Sequence, residues 1–407
     1  MSIKDQGIPE DRMFSRQLLL TLILCAVGAI ISTTATSAND SGHIKVLGEA
    51  LYERGISAIP NAMSQAPNGD LVVAGFIGNK AWATRIGAHG QVLWRYVRSE
   101  KEQNRSVKSS FAGAVLLKDE SALLCGKIYV GNRAFAQVTR ISKEGAVLSD
   151  ESLDSPEDKS VILSDLRHCV AYRDGAAAIG IALGPDPSQT AHAPSHRIVF
   201  LDAKAHRYAE HFLSVPGTLL EMSGDGQSMT LQFVGSFRAA NADIHITSRV
   251  MRLDSSGAIL GDRTIEGGGY LVHGQMDSAL GLLLEPPTGL QLHKLGQNYE
   301  DLSVVTGPKE HLIPTWTALL DNGSLVSFGQ TQVGGNSFSA SVTWLSPNLR
   351  DKQIVIFKPL FTSFKVDAAV FSGRAGEFIA ARSINPRGIP GSQDDPTGLL
   401  LTTISIN

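Results

Sequence analysis

Cysteine is scarce: the 407-residue chain has three, Cys25, Cys125 and Cys169. None stands near the His-x3-His spacing of His192 and His196, and no carboxylate cluster does, so that pair lacks the further ligands a zinc site needs. In a Pro-containing loop the two are read as solvated histidines. Charge is sparse too, at 18% of residues with a formal net charge of -3, and no basic stripe marks a nucleic-acid or acidic-membrane partner. Nucleophile signatures are missing: Gly335-Asn-Ser337-Phe-Ser339 lacks the closing glycine of G-x-S-x-G. A phosphate-cradling glycine loop is absent as well. Asp154, Glu157 and Asp158, like Asp394-Asp395, do not follow the alternating oxygen spacing of a calcium loop. No catalytic, cofactor or metal residue is therefore assigned, and no cofactor is expected.

Helical periodicity over three turns is also missing beyond residue 38, and period-2 alternation takes its place. The stretch Ala62 to Val97 shows it best. Asn68-Gly69 tolerates the positive φ of a tight hairpin, and Leu71 to Phe76 is apolar and partly β-branched. After Gly78-Asn79, Trp82, Thr84 and Ile86 alternate with Ala81, Ala83 and Arg85; beyond Gly90, Val92, Trp94 and Tyr96 share one face. This is an antiparallel meander of four strands.

The meander repeats. Gly78 to Ile86, GNKAWATRI, returns as GNRAFAQVTRI at Gly131 to Ile141, and Asn68 to Gly75 returns as Asn322 to Gly329. Arg85-Ile86 and Arg140-Ile141 recur as Arg252-Leu253. Anchors at Arg85, Arg140, Phe200, Arg252, Lys294 and Trp344 give a period of roughly 50 residues, the range of propeller arrays. The chain resembles secreted bacterial β-propellers of delta-60-type repeats, in the broad quinoprotein-like superfamily. That resemblance implies an all-β propeller but specifies a blade, not an activity. A quinone dehydrogenase repeats a docking tryptophan in most blades, whereas this chain has four Trp in all.

Seven blades of four antiparallel strands are expected, at about 55–100, 106–155, 161–215, 217–267, 269–308, 311–360 and 366–407, with six and eight as alternatives. The fifth is the most weakly marked. The last offers three strands, and the spare strand His43 to Tyr52 is the partner that would close the ring. Residues 1–38 read as an export signal region whose true start is Met13: Arg16, an apolar run Leu18 to Ile31, then small residues. The run is about fourteen residues, shorter than a membrane span, so cleavage near Ala38 is favoured over a retained anchor. One domain, 39–407, remains for the periplasm or the outside.

In that compartment Cys125 and Cys169 form an even pair on facing blades, read either as a disulfide or as two buried thiols. Trp82, Trp94 and Tyr96 are assigned to the interface between blades. The recurring arginines are assigned to turn closure or to pairing with a neighbouring blade. The glycines at 267–269 are assigned to a sharp turn between blades. Loops at 98–106, 150–159, 184–195 and 385–397 vary while strands repeat, which is how a recognition surface is carried on a rigid scaffold. The functional expectation is a non-catalytic scaffold, adaptor or inhibitor with a protein partner. The alternative is a propeller lyase, glycosidase or quinone-dependent dehydrogenase with residues dispersed over blades.

Overall fold

Short polar side chains close the hairpins. Asn68 Oδ1 accepts from the Asp70 amide at 3.0 Å, Asp119 Oδ1 from Ser121 at 3.0 Å, and Asn322 Oδ1 from Ser324 at 2.9 Å. Gly69 and Gly323 sit at φ 90° and 83°, a conformation that L side chains rarely adopt. The computed structural model describes residues 42–53, 56–99, 108–154, 163–183, 195–224, 226–238, 244–254, 256–274, 279–284, 289–296, 299–308, 312–334, 337–357, 366–372, 374, 376–384 and 398–406. The expected export segment with Met13 and Cys25 lies outside them. So do His192, Glu157, Asp158, Asp394, Asp395 and nearly all of the loops at 98–106, 184–195 and 385–397.

All regular elements among the described residues are strands. β1 is Ile44–Tyr52. Blade 1 is β2 (Ala58–Gln65), β3 (Leu71–Ile77), β4 (Lys80–Ile86) and β5 (Val92–Val97). Blade 2 is β6 (Lys108–Leu116), β7 (Ala122–Val130), β8 (Arg133–Ile141) and β9 (Val147–Ser152). Blade 3 is β10 (Leu163–Tyr172), β11 (Gly175–Leu183), β12 (Ser195–Leu201) and β13 (Arg207–Ser214). Blade 4 is β14 (Thr218–Gly224), β15 (Met229–Arg238), β16 (Ile244–Leu253) and β17 (Ile259–Glu266). Blade 5 is β18 (Gly269–His273), β19 (Ala279–Leu284), β20 (Gln291–Leu295) and β21 (Asp301–Thr306). Blade 6 is β22 (Ile313–Leu319), β23 (Leu325–Gly334), β24 (Ser337–Leu345) and β25 (Lys352–Ile356). The last is β26 (Ala368–Phe371), β27 (Glu377–Ile384) and β28 (Gly398–Ile406), to which β1 adds as fourth strand. Blade 5 was faint in the sequence because its strands have five or six residues and so show few alternations. Asp150 to Ser152, expected in a loop, instead belong to β9, pairing with Thr139 to Gln137.

The innermost strands β2, β6, β10, β14, β18, β22 and β26 each touch the next, and β26 returns to β2. β1 pairs antiparallel with β28 from Ile44↔Ile406 to Tyr52↔Leu399, so both ends of the strand array meet in one blade. The packing follows from period 2: successive side chains of a strand leave by opposite faces. In β3, Val72 and Ala74 join Phe111 and Leu124 of blade 2, while Leu71 and Val73 join Ala381 and Leu399 of the last blade. Seven such apolar clusters fill the seven blade-to-blade interfaces.

Candidate binding surface in the central channel

Five inner strands carry one extra residue at the same depth. The register skips Asn61 in β2, Ala112 in β6, Arg167 in β10, Leu220 in β14 and Thr315 in β22. A bulge of this kind leaves its extra residue unpaired and re-aims its side chain. In four of the blades a second-strand glycine faces it: Gly75, Gly126, Gly180 and Gly329 pair with Pro60, Phe111, Leu166 and Pro314. A Cβ at those glycines would overlap the carbonyl oxygens of Ile59, Ser110, Asp165 and Ile313. The glycine thus makes room for the bent inner strand. Blade 4 does without it and places Phe233 there. Asn61 and Leu220 are exposed, each between one buried and one half-buried neighbour, and the Arg167 side chain is 37% exposed.

Around this ring blades 2 to 5 carry ionic and imidazole groups that meet one another. Asp165, almost wholly buried, takes Lys127 Nζ at 2.9 Å and Arg167 Nε at 3.4 Å. Burial works against the Lys127 ammonium, but the hydrogen bond and charge of Asp165 outweigh it and hold its pKa above the ordinary value. His168 keeps an accessible edge, yet burial pulls its pKa down to about 4, helped by the Arg167 charge; the imidazole is neutral at pH 7. Glu221 Oε1 meets His273 Nε2 at 2.5 Å, linking blades 4 and 5. Trp316 of blade 6 stacks on His273 at 5.4 Å with 13° between the planes, and Phe371 meets its edge at 5.3 Å. The wall therefore offers a partly exposed guanidinium held by Asp165, an exposed leucine and an exposed amide whose Nδ2 donates to the Phe111 carbonyl at 2.7 Å.

The residues marked in the sequence fall elsewhere. Cys125 of β7 and Cys169 of β10 are joined by a disulfide, their Cα atoms 6.3 Å apart, across blades 2 and 3. Gly113 admits it, since a Cβ there would lie 2.6 Å from the Cys169 amide nitrogen. His196 is not a solvated loop residue: it lies on β12, buried, with Nε2 3.3 Å from the Gly217 carbonyl and its pKa lowered by burial. Asp154, weighed above only against a calcium loop, is held at 2.6 Å by the buried Arg197 and is itself almost buried. Arg85 grips Asp70 Oδ2 at 2.7 Å in its own blade and the Glu120 carbonyl at 2.7 Å in the next. Arg140 and Arg252 reach Ser121 and Ser228 at the matching turn position. Trp82 and Trp94 are buried between blades. Gly267 sits at φ 114° between β17 and β18. The channel residues Arg167, Glu221 and His273 went unmarked, since they belong to three blades; the repeated second-strand glycine was the visible trace of the bulges.

No protein-family model matches this chain, and no curated protein matches it. Solved structures do. The Neurospora crassa Pan2 WD40 domain superposes with a TM-score of 0.50 at 12% identity, covering 90% of this chain and 96% of that one. The fold is a β-propeller. Weaker likenesses are the Dos1 propeller (TM-score 0.45, 11% identity, 89% and 95% covered) and the WD40 domain of SCAP from fission yeast (0.43, 8%, 89% and 98%). At such identities the likeness shows the propeller fold alone.

Proposed function

We propose that this propeller is an exported, non-catalytic scaffold or adaptor that binds a protein partner at the channel wall. One observation carries the reading. The bulges and their glycines repeat, while the residues they present, Asn61, Ala112, Arg167, Leu220 and Thr315, differ in charge, size and polarity. A constant frame with variable presented groups is what recognition requires. The titratable pairs Asp165–Lys127 and Glu221–His273 serve as struts of that frame in this reading. Export to the periplasm or beyond, and descent from delta-60-type secreted repeats, complete the proposal and rest on the Met13 segment and the repeats of Arg85, Arg140 and Arg252. The test is capture from a periplasmic extract with wild type, Arg167→Ala and Leu220→Asp as baits. A protein held by wild type and released by both variants is expected. Equal capture by all three would overturn the channel site, and turnover of a substrate by cofactor-free protein would overturn the non-catalytic reading.

A further inference from the structure

The bulge ring is uneven in charge. Of the five extruded residues, Asn61, Ala112, Arg167, Leu220 and Thr315, Arg167 alone is ionised. Its pairing is incomplete. Asp165 Oδ1 stands 3.4 Å from Arg167 Nε, yet that buried oxygen takes no hydrogen bond among the described residues. The carboxylate is committed instead to Lys127, whose Nζ donates to Oδ2 at 2.9 Å. The Arg167 side chain is 37% exposed, against 2% for Asp165. Among the described residues the two terminal amino groups of Arg167 have no hydrogen-bond partner.

Lys127, Asp165 and Arg167 together carry one surplus positive charge, and the surplus sits on the group that reaches the channel. The Glu221 carboxylate of blade 4 is taken by His273 Nε2 of blade 5 at 2.5 Å. A guanidinium is a planar fork of donors that matches a carboxylate with two parallel N–H···O bonds. A phosphate fits less well. Its second charge would face the Asp165 carboxylate behind Arg167, while Lys127, the other cation of the three, is already committed. Leu220 lies alongside: the His168 ring, next to Arg167 in β10, hydrogen-bonds the Leu220 backbone and so joins the bulges of blades 3 and 4. Leu220 is 39% exposed. The pair forms an anion anchor with an apolar flank.

We propose that Arg167 anchors a carboxylate of the partner, carried on an acidic side chain whose apolar neighbour in the partner's sequence covers Leu220. This assignment rests on the reading of the channel as a protein-binding site. It narrows the partner to one that inserts an acidic residue next to an apolar one.

The probe is N-acetyl-Glu-Leu-amide, with one carboxylate and one apolar side chain, titrated into the purified protein carrying isotope-labelled arginine. The Arg167 side-chain signal, assigned by its loss in Arg167→Gln, is expected to shift saturably, with a dissociation constant on the order of millimolar. N-acetyl-Gln-Leu-amide should bind about tenfold more weakly, because its hydrogen bonds are no longer charge-assisted. Leu220→Ala should weaken the Glu-Leu peptide about threefold and leave N-acetyl-Glu-Gly-amide unchanged. Arg167→Lys keeps the charge without the fork and should give intermediate binding; it serves if Arg167→Gln does not fold, as judged by circular dichroism. No saturable shift, an equal response to the Glu and Gln peptides, or tighter binding of inorganic phosphate would overturn the proposal. The channel reading fails separately. A protein captured by wild type and lost in Leu220→Asp, with Arg167 unmoved by the peptide, would refute the carboxylate and keep the channel. Peptide binding with no protein captured would keep the carboxylate site and refute a protein as its source.

Discussion

The ring is closed by a strand from the far end of the chain, and one ion pair reports on that closure. Arg382 of β27 donates from Nη2 to Glu49 Oε1 of β1 at 2.8 Å; its side chain is 4% exposed, that of Glu49 41%. Thr402 Oγ1 donates to the same carboxylate oxygen at 3.1 Å, and the guanidinium lies 4.3 Å from the Phe357 ring centre. Burial lowers the Arg382 pKa to about 10, opposed by the Glu49 and Asp367 charges, so the group stays cationic at pH 7. The two halves of the pair are therefore unequal. Glu49→Ala strands a buried cation, for which removal of a fully buried partner costs ~3–5 kcal/mol; water at the half-open carboxylate side and the remaining Asp367 charge reduce this to about 2–3 kcal/mol. Arg382→Leu leaves a carboxylate that already reaches solvent and keeps an apolar stem over Phe357, and should cost about 1 kcal/mol. The double variant should match Arg382→Leu alone, since no stranded cation remains. Urea unfolding of wild type and the three variants, followed by both fluorescence and circular dichroism, measures this. A Glu49→Ala cost within about 0.5 kcal/mol of zero, the range of an ordinary surface change, would refute the reasoning, as would a larger cost for Arg382→Leu.

Three further outcomes are expected. Reducing Cys125–Cys169, which closes a sequence separation of 44, should remove about 4 kcal/mol by chain entropy, read as a lower Tm with reductant and its loss in Cys125→Ser. His168 has a folded pKa of about 4 against 6.5 for the free side chain, so the unfolded chain binds the proton first as pH falls. Its contribution is complete above about pH 6.5 and is lost towards pH 4, by up to about 3 kcal/mol; His168→Gln should flatten that window of the stability profile. Gly180→Ala would drive a Cβ into the Asp165 carbonyl and should cost about 3 kcal/mol, with the Lys127–Asp165 contact disturbed; Gly78→Ala, which meets nothing within 4 Å, is the lesser change despite its φ of 57°.

Strand type and the partner for the odd strand could be read from the chain itself. Strands announce themselves through nearest-neighbour alternation, and turns through Asn-Gly and Asp-Gly chemistry, both of which are local. Leu71 to Ala74 needs two apolar faces because it lies between two blades, and the unbroken apolar run states as much. A three-stranded remainder at the C-terminus and a lone strand at His43 to Tyr52 imply one another, because an open edge leaves backbone groups unpaired. Position in space was a different matter. Glu221 and His273 meet across 52 residues of chain, and Arg382 and Glu49 across 333, so no spacing rule links them. His196 looked like a loop residue and is buried because β12 begins one residue before it. The bulges left only the repeated second-strand glycine as a trace, because an extra residue in a strand shows itself in register with its partner. Local pattern determined the propeller; which side chains line its channel depended on how each strand registers against the next, and only the assembled sheets decide that.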